Sequence, residues 1–349
     1  MKALEAQRLA HEISFGPVIF QISRLMVKWG IFQMLIDAKD GLTLEEIEKK
    51  TGLTPYAVQI LIYASLTAGT VLCDETGRYT TSKAGWFLLN DPLVKVDMGM
   101  VHNVIYKGLF HLEETLLTGE PVGLREVFGD YTTIYEALSS LPPQVQKSWF
   151  DWDHYFSDQS FGQALPIVFA NRPKTLLDVG GNTGKFALRC VDYDKEVRVT
   201  IVDLPQQLGL MKDFVAGKPG CERISGHPVN LLDQSVKLPI GFDAVWMSQL
   251  ISAFSEEEVT RVLARAAEAM AVDTPLYINE TLWDRQRFDV ASYCLTQTTA
   301  YFACLANGNS KMYHSKDLLR CIGNAGLKVE TIYDGLGKGH SLLVCKKCC

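Results

Sequence analysis

The chain has 349 residues, 47% hydrophobic and 21% charged, with a formal net charge of -6. That is globular composition with length enough for two domains, and the negative balance argues against a polyanion such as nucleic acid as partner of the whole molecule. No apolar run reaches the ~18 residues of a membrane span, the start is an amphipathic helix and not a secretory leader, and the nine scattered cysteines suit a reducing compartment, so the expectation is a cytoplasmic protein with no membrane partner.

Residues 4–36 place apolar side chains at helical spacing, interrupted at Gly16-Pro17. The apolar face is too wide for a helix exposed on one side, which points to packing against a second copy of the chain; packing on its own domain is the alternative. The next fifty residues carry a winged helix-turn-helix pattern. Thr43 with Glu46 three positions on is a capping box, Thr54-Pro55 opens a second helix to about residue 68, and residues 71–82 form a hairpin turning near 75–77. Second helices of such folds often enter DNA. Here no Lys or Arg occurs between Lys50 and Arg78, leaving phosphates nothing to bind, so a dimerisation or substrate-lid role is expected.

Residues 91–170 are mostly helical and rich in aromatics. Within them the segment WFDWDHYFSDQSF, 149–161, sets Asp151, Asp153 and His154 among several rings, which suits a cavity wall as well as a partly exposed amphipathic helix.

The stretch the chain is organised around is TLLDVGGNTGKFALRC, 175–190. A short β-favouring run carrying Asp178 meets Gly180, Gly181 and Gly184 before a helix begins at Lys185. Glycines there let a ligand approach the backbone and the helix N-terminal amides. A dinucleotide site wants G-x-G-x-x-G, and Asn182 and Thr183 stand where its second glycine must be. An acid ahead of the glycines suits a ligand bringing a cationic amino group and hydroxyls.

From there strand and helix alternate, the mark of a parallel sheet in a doubly wound α/β fold. Seven strands are expected, and ligands of such sheets lie outside their carboxyl ends. Asp203 closes the second strand, placed to accept from both hydroxyls of a ribose. Asn230 and Leu231 close the third, Ser248 the fourth and Glu280 the fifth, and Ser255 caps the helix after the fourth. A metal site at the terminal Cys345, Cys348 and Cys349 would need further ligands, so a frayed tail and no metal are expected there.

DVGGNTG, VDLPQ, FDAVWMSQLISAFSEEEVTRVL and YINET follow one another in a way that resembles the class I S-adenosylmethionine-dependent small-molecule O-methyltransferases, the family of plant caffeate and isoflavone enzymes and of bacterial polyketide-tailoring methyltransferases. The resemblance covers essentially the whole chain. It implies a winged-helix dimerisation domain over 1–95, a helical linker with substrate-pocket helices over 96–170 and a Rossmann-like S-adenosylmethionine-binding domain over 171–349, in a homodimer. It implies cofactor contacts at Ser160, Asp178, Gly180, Gly181, Asp203, Leu204, Asn230, Leu231 and Ser248. Trp152 and Phe156 would be walls facing a small aromatic or polyketide-like acceptor.

The sequence departs from that family at its chemistry. Where the plant enzymes carry a His as general base, the residues are Ser252, Ala253 and Phe254; of the two acids flanking that His, Glu280 remains and the other position holds Met312; Ser248 stands for a lysine and Asn230 for an acid. A positioned base contributes ~10² to 10⁴-fold, and serine cannot supply it. Three readings remain: an acceptor already nucleophilic; another base, with His154 and His314 as candidates and Glu280 lining the acceptor site; or a cofactor-binding relative with other chemistry, including a winged-helix regulator that senses the cofactor.

Overall fold

Side-chain caps start the helices where the sequence places them in the computed structural model, which describes residues 1–348. The chain divides into two units, Met1–Gly99 and Met100–Cys349. The first holds α1 (Ala3–Ser14), α2 (Gly16–Lys28), α3 (Ile31–Asp37), α4 (Leu44–Thr51), α5 (Pro55–Thr67), the antiparallel pair β1 (Val71–Cys73) and β2 (Tyr79–Thr81), and α6 (Lys83–Asn90). Thr43 accepts from the Glu46 amide while the Glu46 carboxylate takes the Thr43 N–H, closing the capping box that starts α4. Thr54 caps α5 through the Ala57 amide. Phe32, Leu35, Ile47, Val58, Ile62 and Val71 form the core of this unit. The wide apolar stretch at the chain start therefore splits in two: Met26, Ile31, Phe32 and Leu35 pack at home, whereas α1 buries nothing and Leu9, Ile13, Phe15 and Val18 stay exposed on this unit.

After α7 (Pro92–Met100), short helices α8 (Leu112–Thr118), α9 (Val122–Phe128) and α10 (Ile134–Ala137) lead into the 26-residue α11 (Pro143–Val168). The sheet follows, with β3 (Thr175–Val179), α12 (Lys185–Tyr193), β4 (Arg198–Asp203), α13 (Pro205–Val215), β5 (Ile224–Pro228), β6 (Ala244–Ser248), α14 (Glu256–Ala269), β7 (Leu276–Thr281), α15 (Asp289–Tyr301), α16 (Ser315–Asn324), β8 (Leu327–Leu336) and β9 (His340–Lys347). Strand order is β5-β4-β3-β6-β7-β9-β8. The first five pair in parallel, as the alternation predicts. The last two do not: β9 runs antiparallel to both β7 and β8, because only residues 337–339 separate β8 from β9 and a parallel crossover needs a dozen or more.

The sheet is clamped at its centre. Asp243 accepts from the Lys174 and Thr175 amides at 2.8 and 2.9 Å, which holds the start of β3 against β6. Trp246 of β6 stacks on Phe186 of α12 with ring centroids 3.9 Å apart, and Phe161 of α11 packs beside both. The chain builds outward from β3 in two directions, through β4 to β5 and then through β6 to β7, so the carboxyl ends of β3 and β6 flank the crevice where such sheets take ligands. At the far edge, Cys345 is buried within β9 and does not belong to a tail, Cys348 bonds Gly326 through its amide, and Cys349 lies outside the described residues. Among the described residues no single helix is long and apolar enough to cross a membrane.

Ser255 caps α14, accepting from the Glu258 amide while Glu258 reaches back to the Ser255 N–H. Ser255→Ala is expected to lower stability by ~1 kcal/mol, seen as a lower urea midpoint at unchanged slope; an unmoved midpoint would contradict the capping role.

Candidate active site

At the carboxyl end of β3 the backbone turns through Gly180 at φ +74°, a left-handed conformation that glycine adopts without strain. The space is as restrictive as the angle, since a Cβ on Gly180 would lie 2.6 Å from Leu250 Cδ1 and one on Gly181 2.7 Å from Asp178 Oδ2. The turn is tied to the neighbouring strand by hydrogen bonds. Gly180 N–H donates to the Val202 carbonyl, and Asn182 N–H donates to Asp203 Oδ2 at 2.9 Å, while Leu204 N–H takes Asp203 Oδ1 at 2.7 Å. Asp203 is thereby aimed along the crevice by its own backbone.

The turn opens into a cavity of about 440 Å³ within the second unit. One end is lined by Asp178, Gly180, Gly181, Asp203 and Leu204, continuing to Asn230, Leu231 and Ser248. Elsewhere the lining is rich in aromatic side chains, with Trp152, Ser252 and Met312 beside them, and also includes the acids Glu136, Asp153, Asp158 and Glu258. Trp149, from the aromatic segment 149–161, belongs to this wall, as do Tyr135 and Tyr301, for which the sequence carried no signal. Trp149 donates its indole N–H to the Tyr301 hydroxyl at 2.7 Å, and the Tyr135 ring meets Trp149 edge-on at 6.3 Å. Helix α11 supplies Trp149 and Trp152, the end of α15 supplies Tyr301 and α10 supplies Tyr135.

Burial dominates the electrostatics. It pushes the Asp178 carboxyl up to about 8, with the Asp203 charge adding to the effect. It pushes Asp203 up to about 6 against the opposing amides of Asn182 and Leu204. Neither carboxylate bonds a basic side chain. Asp178 Oδ2, Asn182 Oδ1, Gln207 Oε1 and Gln249 Oε1 are buried with no partner in the protein, and unmet buried polar atoms cost ~1–3 kcal/mol each. These four are acceptors; the Thr183 hydroxyl and the Trp246 indole N–H, also buried and unpartnered along the lining, can donate. A ligand rich in N–H and O–H groups, such as a ribose carrying an amino acid, answers that set, and so the residues present fit S-adenosylmethionine.

Four of the residues singled out from the sequence do not line the cavity. Ser160 is fully buried; its hydroxyl donates to the Ser157 carbonyl and accepts from Asn279 Nδ2, which also bonds Ser248 Oγ. Phe156 packs behind Trp152, edge to face at 5.5 Å. Glu280 points back into the protein, its carboxylate accepting from the Ile251 amide at 3.1 Å, and burial pushes it up to about 7. It thus holds the turn Ile251–Ala253 that presents Ser252. His314 caps α16 through Nδ1, 3.0 Å from the Lys316 amide, and does not line the cavity. His154 does line it, stacked on Phe150. Burial, with Lys185 nearby, lowers it to about 4, which makes it a weak base.

Comparison with known proteins agrees with this architecture. Residues 160–327 match the O-methyltransferase domain and residues 7–79 the Dimerisation2-like domain. The L-tyrosine C(3)-methyltransferase of Streptomyces lavendulae is 24% identical over 322 residues, covering 91% of this chain and 86% of that protein. Among solved structures, mitomycin 7-O-methyltransferase superposes with a TM-score of 0.73 at 16% identity, covering 99% of this chain and 98% of its own. An O-methyltransferase from neocarzinostatin biosynthesis, solved with S-adenosylmethionine and 2-hydroxy-5-methyl naphthoic acid, superposes at 0.68 with 18% identity, covering 94% and 95%. With a glycine turn and a strand-end acid framing the cavity of a seven-stranded sheet, and both domains matched, the chain belongs to the family of S-adenosylmethionine-dependent small-molecule O-methyltransferases.

Proposed function

We propose that the chain methylates the oxygen of a small aromatic or polyketide-like phenol that ionises without a histidine base. The observation that carries this reading is the two-ended cavity, with unpartnered acceptors and strand-end carboxylates at one end and fixed aromatic walls at the other. S-adenosylmethionine, when bound, supplies a methyl carbon activated by a sulfonium. Asp203 would take the ribose, the turn 180–184 the methionine end, and Asn230 and Leu231 the adenine. Trp152, Tyr301 and Met312 would flank the acceptor, and much of the rate would come from holding it in line with water excluded. Ser252 takes no proton and His154 is depressed too far to draw one from a phenol, so neither replaces the missing histidine, and the proposed acceptor is one that ionises readily. Among the described residues lining the cavity, Lys185 is the only lysine or arginine and is held by Asp158 at 2.7 Å. A carboxylate on the acceptor therefore meets no free cation, which favours uncharged phenols over hydroxy-acids.

A second reading, methylation of a ring carbon beside the phenolic oxygen, is favoured by the similarity to a tyrosine C(3)-methyltransferase along 91% of the chain. The regulatory alternative has less behind it, since α5 carries no Lys or Arg. The same proposal includes a homodimer through the first unit, whose Leu9, Ile13, Phe15 and Val18 are exposed in the single chain.

Labelled methyl transfer from S-adenosylmethionine to neutral phenols, exceeding transfer to their carboxylated counterparts, is the expected result, with NMR of the product separating oxygen from carbon. No transfer to any phenol would sink the reading. Asp203→Ala is expected to weaken S-adenosylhomocysteine binding ~10- to 100-fold, as loss of a charged hydrogen-bond acceptor does. The cavity carboxylates give a pH dependence of defined sign. Burial pushes Asp203 up to about 6 and Asp178 up to about 8 in the free protein, and a ligand whose O–H and N–H groups donate to them binds their ionised forms. Affinity should thus fall as pH is lowered through that interval, and binding at neutral pH should release protons. Calorimetry in buffers of different ionisation enthalpy measures this release; proton uptake would contradict the assignment.

A further inference from the structure

We propose that Asp153 is a cofactor-binding residue, its carboxylate receiving the α-ammonium group at the methionine end of S-adenosylmethionine. The inference rests on S-adenosylmethionine being the ligand of this cavity, and concerns a residue outside the strand ends where such contacts are sought.

Asp153 lies on α11, opposite the glycine turn, and lines the cavity. Its Oδ2 accepts from Asn182 Nδ2 at 3.3 Å, which joins helix to turn. No basic side chain bonds it, and the Lys185 charge offsets its burial only in part. Lys185, the cation near it, is bonded to Asp158 at 2.7 Å, and His154, with Nδ1 3.8 Å from Asp153 Oδ2, is held neutral by its own burial. A carboxylate in such surroundings is costly unless something positive joins it.

The neighbouring atoms say what that partner must be. With its Nδ2 donating to Asp153, Asn182 is left with a buried Oδ1 that has no partner, and Asp178 Oδ2 on the same turn is likewise unmet. Beside Asp153 the wall thus offers unmet acceptors, while the unmet Thr183 hydroxyl on the same turn can donate to a carboxylate group of the ligand. An ammonium group, three N–H donors and no acceptor, complements it. A sulfonium carries the charge but no hydrogen to donate. A phenolic acceptor brings one donor against the three of an ammonium group.

Calorimetry on the full chain tests the assignment with two ligands, S-adenosylhomocysteine and 5′-methylthioadenosine, which lacks the amino-acid portion. Asp153→Asn is expected to weaken S-adenosylhomocysteine ~10-fold or more while 5′-methylthioadenosine binds as it does to the wild type, which also reports that the variant is folded. Asp153→Glu, which restores the charge, should regain part of the loss. Unchanged S-adenosylhomocysteine affinity in Asp153→Asn would overturn the proposal, as would equal weakening of both ligands or failure of both variants to fold, either of which makes Asp153 structural. A wild type that binds neither ligand would instead remove the cofactor reading of the cavity, and this inference with it.

Discussion

Two carboxylates, Asp178 and Asp203, stand buried at the ends of adjacent parallel strands with no basic side chain bonded to either. Burial alone disfavours their ionised forms, and the Asp203 charge adds to the difficulty at Asp178. The geometry that keeps them there is backbone geometry: the register of β3 and β4, the positive φ of Gly180, and the amides of Asn182 and Leu204 clasping the Asp203 oxygens. A folded chain that keeps two carboxyl groups adjacent and one of them largely protonated in the absence of ligand suits a ligand that donates to their ionised forms. The rest of the second unit, from the Asp243 clamp to the Trp246–Phe186 stack, serves to keep that crevice open and in register.

The catalytic departure follows from a short turn. Glu280 keeps the place that an acid has in the family, yet its carboxylate is taken up by the amides of the turn bearing Ser252, and what that turn presents to the cavity is a hydroxyl. The acid has become a positioning residue for a site without a base. His154, which the sequence offers as a substitute, is disqualified by the environment that makes it part of the wall: ring stacking and burial favour its neutral form and lower its basicity together. On the proposed reading, chemistry at this cavity depends on orientation and on an acceptor that supplies its own electrons.

The aromatic end shows how selectivity arises without charge. Tyr301 is fixed by the Trp149 indole and Trp152 by the packing of Phe156 behind it. A flat ring fits between such walls, whereas an anionic substituent meets only Lys185, already committed to Asp158.

The order of strands, the glycine turn, the acid that follows it, the capping residues Thr43, Thr54 and Ser255 and the lost histidine were all legible in the sequence, because each rests on local rules: period-2 runs, glycine conformational freedom, and cap side chains within three residues of the amides they serve. What the tertiary structure alone decided lies between distant segments. The antiparallel insertion of β9 came from pairing choices at the sheet edge, and the withdrawal of Ser160, Phe156 and Glu280 from the cavity came from which face of α11 and β7 the packing buried. Tyr135, Trp149 and Tyr301 meet across as many as 166 positions of chain, and Asp153 finds Asn182 across 29. No short-range pattern encodes such meetings, since they depend on how helices and sheet settle once the apolar faces are removed from water.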